Sequence, residues 1–141
     1  MKLQSRKSVS VGELKRNQHH TDRDRAPPMR SVFPQVEQLR IELSFADRTG
    51  RAPSPQMHIL FPPARAFFRF ACPCSECDGE FDLSPAVSAL VNAAASSKRS
   101  SHRTASDNLI CEGVRLRNHA NSRPCPIAVN IRLDASAEKT A

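Results

Sequence analysis

Tryptophan and tyrosine are absent from this 141-residue chain, and glycine occurs only four times. Seven phenylalanines make up its whole aromatic content. A chain that is 39% apolar yet so poor in large side chains builds a thin core, and thin cores usually need a staple. No segment approaches the roughly 18 apolar residues of a membrane span. The opening MKLQSRKSVSVGELKRN is basic and carries no apolar run of the secretory kind. No cysteine precedes Cys72, and the total of five is odd, which argues against the disulfide framework of a secreted domain. The expectation is a soluble cytoplasmic protein with no membrane association. In a reducing compartment, clustered cysteines are metal ligands more often than disulfides.

What is present is unevenly spread. Residues 1–36 carry eight Lys/Arg against three acids, residues 37–83 five against seven, and residues 84–141 eight against four. Residues 1–36 are polar, basic and without apolar periodicity, so a disordered segment is expected there. Met29 stands just ahead of the first ordered-looking stretch. A start at Met29, with residues 1–28 a dispensable tail, is therefore one reading.

The pattern predicts one domain over residues 37–134. Leu39, Ile41, Leu43 and Phe45 alternate with polar residues, as in a half-buried strand. Met57 to Phe61 and Ala66 to Ala71 read as two more short strands. Ser84 as N-cap and Pro85 at the first helical position open a helix whose stripe is Val87, Leu90, Val91 and Ala94. Residues 96–107 read as a flexible basic loop, Leu109 to Cys111 as a strand, and residues 112–124 as a long loop. Ile127, Val129, Ile131 and Leu133 alternate again in a last strand, and residues 135–141 form a frayed tail. The expected fold class is α+β: a small antiparallel sheet with one helix.

The chemistry lies in Cys72-Pro-Cys-Ser-Glu-Cys-Asp-Gly79, followed by Cys111 and Cys125. A tetrahedral zinc site takes two thiolates from a tight turn and two from elsewhere, each about 2.3 Å from the ion. Gly79 suits a left-handed turn residue. Folding of residues 112–124 would bring Cys111 and Cys125 together. Cys77, Cys111 and Cys125 belong to every sensible ligand set. The fourth place falls to Cys74, with the commoner C-x2-C spacing, or to Cys72, with C-x4-C. Cys72 is favoured by its Cys-Pro step and by its place on the face of Phe68 and Phe70. Four thiolates on Zn2+ close the site to substrate.

The run FFRFACPCSECDGEFDLSPAV, with Cys111-x-Gly113 and Pro124-Cys125 further on, resembles small uncharacterised bacterial zinc-ribbon-like proteins over about residues 37–134. The resemblance implies a fold and a metal but no activity, and Cys74 departs from its pattern of four cysteines.

Enzyme readings fail at specific residues. Pro73 to Cys77 matches the P-C-x-x-C half of zinc deaminases, which also need an upstream H-x-E. His19, His20 and His58 are followed two positions on by Thr21, Asp22 and Leu60. A thioredoxin-like site needs its CxxC to open a helix, whereas Cys77-Asp78-Gly79 reads as a turn. His102 and His119 fall in polar loops and His58 on a strand. The acids Glu76, Asp78, Glu80 and Asp82 read as a solvated face balancing Arg65 and Arg69. Two non-enzymatic functions remain. One is nucleic-acid binding through Lys98, Arg99 and Arg103 in one loop and Arg115, Arg117 and Arg123 in the other. The alternative is a protein-interaction or adaptor zinc module, favoured by the lack of exposed aromatics on which bases stack.

Overall fold

The computed structural model describes residues 11–48, 50–74, 77–96, 102–117 and 121–137, with backbone alone at 114–117 and 121–124. In chain order the elements are α1 (Val11–Arg25), α2 (Met29–Val32), β1 (Val36–Asp47), β2 (Gln56–Leu60), β3 (Arg69–Ala71), β4 (Glu80–Asp82), α3 (Ser84–Ser96), β5 (His102–Ile110), β6 (Val114–Arg117), β7 (Asn121–Pro124) and β8 (Ile127–Ala137).

A four-stranded antiparallel sheet of order β2-β1-β8-β5 is the frame. The alternation in β1 and β8 determines how they pair. Leu39, Ile41, Leu43 and Phe45 stand opposite Ala135, Leu133, Ile131 and Val129, and all eight are buried. A shift of one residue between the two strands would turn one of these rows to solvent, so burial fixes the register. The α3 stripe of Val87, Leu90, Val91 and Ala94 is buried as expected, and α3 packs on β8 and β5. Its start differs from expectation by one residue. Ser84 is already helical, and Asp82 Oδ1 accepts its N–H at 2.9 Å.

Two hairpins flank the sheet. β3 pairs with β4, and β6 with β7. Neither β4 nor the β6–β7 pair was expected, because strands of three or four residues are too short to show a period. Residues 102–107 also depart from the expected loop, since they form most of β5. Their side chains are largely exposed on both faces, so no alternation marks a strand held by its ladder to β8. The last strand runs to Ala137, and residues 138–141 lie outside the described residues, as does the expected tail there.

Over residues 11–36 the expected disorder is corrected by α1, α2 and the start of β1, while residues 1–10 lie outside the described residues. Met29, Phe33 and Val36 are part of the core. Pro28 bridges Arg65, and the Met29 N–H donates to the Ala64 carbonyl at 2.7 Å. The helix α1 docks on β3 through polar side chains at helical spacing. His19 is 4% exposed, and its Nε2 lies 2.6 Å from Glu80 Oε2. Lys15 reaches the same oxygen at 3.5 Å, and Asp22 pairs with Arg69 at 3.1 Å. The Phe67 ring meets the His19 ring edge-on and lies under the Arg23 and Arg69 guanidiniums. A stripe of Lys15, His19, Asp22 and Arg23 is invisible to an apolar count, hence the expectation of disorder.

Burial pushes the Glu80 carboxyl up, but the hydrogen bond to His19 and the charges of Lys15, His19 and Arg69 outweigh it and leave it below 4.5. A carboxyl lowered on folding stabilises above its unfolded value and loses that contribution as pH falls through the folded one. The α1 contact should therefore loosen progressively below about pH 4.5. At neutral pH, Glu80→Gln should cost roughly 1–3 kcal/mol of local stability. Faster amide exchange confined to residues 11–25 is the expected readout; unchanged protection there would rule out Glu80 as the anchor.

Candidate metal centre

The two hairpins end where the cysteines begin. The Cys72 N–H donates to the Gly79 carbonyl at 3.0 Å and so extends the β3–β4 ladder. The Cys125 N–H donates to the Gly113 carbonyl, also at 3.0 Å, and extends the β6–β7 ladder in the same way. Cys111 is fixed to the main sheet by its N–H on the Ile127 carbonyl at 3.0 Å. Two Cys-x-Gly turns, at Cys77 and Cys111, thus face two Cys-Pro corners, at Cys72 and Cys125.

The result is a group of four buried sulfurs. Those of Cys72, Cys77, Cys111 and Cys125 all lie within 4.8 Å of one another. Cys72 and Cys125 are 3.7 Å apart, and Cys77 and Cys111 are 3.5 Å apart. Metal–sulfur bonds of ~2.3 Å in a tetrahedron require sulfurs about 3.8 Å apart. A disulfide would need about 2.05 Å, and none of the five cysteines is disulfide-bonded. Cys74 is buried but stands outside the group of four. Of the two spacings open from sequence, the structure assembles C-x4-C.

Each sulfur receives one backbone N–H from the residue two positions on. The Gly79 N–H donates to Cys77 at 3.1 Å and the Gly113 N–H to Cys111 at 3.4 Å. The N–H groups of Cys74 and Ile127 serve Cys72 and Cys125. Such bonds orient ligand atoms and spread thiolate charge. Burial pushes the Cys72 and Cys111 thiols up and Cys77 up to about 12. Burial acts on Cys125 too, but the Ile127 N–H and the neighbouring thiols outweigh it and lower the sulfur. Four thiols packed this closely resist ionising together. A bound divalent cation would let all four ionise.

The glycines are required for space. Neither Gly79 nor Gly113 has a left-handed backbone, which corrects the expectation for Gly79. A Cβ on Gly79 would collide with the Cys111 sulfur, and one on Gly113 would come within 2.6 Å of the Gly79 backbone and 2.8 Å of the Cys77 sulfur. The two turns pack back to back so closely that neither tolerates a methyl. Gly113→Ala is expected to separate the sulfur pairs and weaken metal binding about 10- to 100-fold, the loss seen when a metal site's supporting shell fails. Competition with a chromogenic chelator measures this, and an affinity within threefold of the parent would show that the turns can yield.

Other singled-out residues lie elsewhere. Asp78 and Asp82 are exposed, as expected of a solvated face, with Asp82 also capping α3, whereas half-buried Glu80 departs from it and anchors α1. Arg69 pairs with Asp22 and Arg65 with the Ala26 carbonyl. Glu76 is outside the described residues. His58 sits on the edge strand β2, with its ring 4.9 Å from that of Phe70. His102 is on β5, 3.9 Å from Asp134, not in a loop, and His119 is outside the described residues. Of the basic set, Arg103 is exposed on β5, and Lys98 and Arg99 are outside the described residues. Arg115, Arg117 and Arg123 fall on β6 and β7, with Arg115 and Arg123 at one register position; their side chains lie outside what is described.

The sequence reading missed Gly113 as a spacing residue and His19 with Glu80 as an anchor. The repeat of Cys-x-Gly at 77–79 and 111–113 was a usable signal for the first. No described helix is long and apolar enough to cross a membrane. Compared with protein-family models, with curated proteins and with solved structures, the chain gave no match.

Proposed function

We propose that this chain is a structural zinc protein of the cytoplasm, holding one Zn2+ on Cys72, Cys77, Cys111 and Cys125, and that it is not an enzyme. The observation that carries the reading is the group of four buried thiols within 4.8 Å of one another, two pairs of which, at 3.5 and 3.7 Å, are close to the spacing of a tetrahedral site. An all-sulfur donor set suits zinc over magnesium or calcium, which take oxygen. Four protein ligands leave no position for a substrate or an activated water. The bound ion would tie the β3–β4 turn to the β5–β6 and β7–β8 corners, which have no covalent link. Native mass spectrometry of protein purified without added metal tests it. One zinc per chain is expected, and a metal-free chain or another resident metal would overturn it.

For the partner, we propose nucleic-acid phosphate, met by the β6–β7 hairpin. Between Val114 and Pro124 the sequence holds Arg115, Arg117 and Arg123 and no acid, and the metal would fix the base of this arm. Three phosphate contacts give a salt slope of about −3 with little sequence preference. Reversing Arg115, Arg117 and Arg123 to Glu should abolish binding to duplex and single-stranded probes at about 50 mM salt. Failure of the parent to bind, or survival of binding in the reversed variant, favours a protein-interaction role.

A further inference from the structure

The two edges of the main sheet are built differently. β2 is five residues long and is bounded by Pro53, Pro55, Pro62 and Pro63, which block the addition of a strand. β5 is nine residues long, contains no proline and has no strand on its outer side among the described residues. Unpaired donors and acceptors along such an edge are a template for another strand.

The composition of β5 says which strand. On the face that carries the core, β5 presents Arg103, Ala105, Asp107 and Leu109 opposite the buried Ala135, Leu133, Ile131 and Val129 of β8. Two copies of β5 paired antiparallel about Ala105 place Arg103 opposite the partner's Asp107, and Asp107 opposite the partner's Arg103. Thr104 then faces the partner's Ser106. Centring the pair on Arg103 or on Asp107 sets like charges against each other. Opposite charges directly across an antiparallel pair stabilise it, and like charges destabilise it. The strand is thus complementary to itself in one register, as a twofold interface requires. An apolar groove of about 330 Å³ runs beside this edge, walled by Ala86, Ala89 and Ala93 of α3 and by Ala105, Ile131 and Leu133. Small residues there leave room for the partner's helix to approach across the joined sheet.

We propose that the protein forms a twofold dimer through β5, joining two four-stranded sheets into one continuous sheet. This inference does not depend on which metal the cysteines hold. Sedimentation equilibrium of the full chain tests it, with a mass of twice 15.6 kDa expected. Asp107→Arg and Arg103→Asp should each weaken the dimer at least about tenfold, since each sets two like-charge pairs at the joint. Mixing these two variants should restore a dimer, because every contact is then between opposite charges. That recovery also excludes misfolding as the cause of the loss. A parent of single-copy mass at about 100 μM, a concentration at which even modest self-association shows, overturns the proposal. So does a dimer that survives both substitutions, or a mixture that stays monomeric.

Discussion

Stripping the metal with a chelator at neutral pH is expected to abolish the cooperative thermal transition of this protein. A zinc–tetrathiolate contributes on the order of 10 kcal/mol of apparent free energy, and a whole domain is commonly stable by only about 5–15 kcal/mol. The geometry says where the loss would fall. Cys72 and Cys77 close the β3–β4 hairpin, while Cys111 and Cys125 sit at the bases of β5 and β7. Only the shared ion would hold these ladder ends against the repulsion of their own thiolates. Near-ultraviolet circular dichroism and calorimetry should show packing lost while part of the far-ultraviolet signal remains. A chelated chain that melts sharply at the parent's temperature would sink the structural assignment, whatever the stoichiometry.

Substitution of single cysteines should separate four positions from one. Cys72→Ser, Cys77→Ser, Cys111→Ser and Cys125→Ser each remove one donor from a closed set of four, and each should yield protein that loses zinc on gel filtration. Cys74→Ala should keep one zinc per chain and lose only about 1 kcal/mol, the cost of a small buried side chain whose backbone N–H still serves Cys72. Inductively coupled plasma analysis of the five variants reads the result directly. Zinc lost in Cys74→Ala but kept in Cys72→Ser would reverse the assignment of the fourth ligand.

Much of the sheet was legible because burial writes a period into the chain. β1 and β8 line a core on one face and are part-polar on the other, so their rows of Leu, Ile and Val stand out. The helix α3 was legible for the same reason at a period of 3.6. β5 was largely missed because an edge strand with both faces exposed has no such constraint, and the β6–β7 hairpin because four-residue strands are too short to alternate. The helix α1 was missed because its interface is an imidazole, a carboxylate and two cations.

The thiol group was legible as a set of five. The choice between Cys72 and Cys74 was not, because both spacings can reach one ion. That choice rests on three-dimensional facts: the ladder extended by Cys72, and the back-to-back contact of Gly79 with Gly113. No count of residues between cysteines contains either of them.

The order β2-β1-β8-β5 places the last strand made between the first strand and the edge. A ribosome completes β1 at Asp47 and finishes β8 only at Ala137. At about 5–20 residues per second, that interval is roughly 5–20 seconds. Throughout it, β1 has only β2 beside it, and its apolar row lacks its main cover. Cys72 and Cys77 emerge before Cys111 and Cys125, so a nascent chain can offer zinc only half of its ligands. The fourth ligand, Cys125, directly precedes β8 (Ile127–Ala137), so the metal site gains its full ligand set only as the central strand begins to be made. A chain cut short before β8 has no central strand to bring β1 and β5 together, and a quality-control protease would meet an open apolar sheet with two loose thiol pairs.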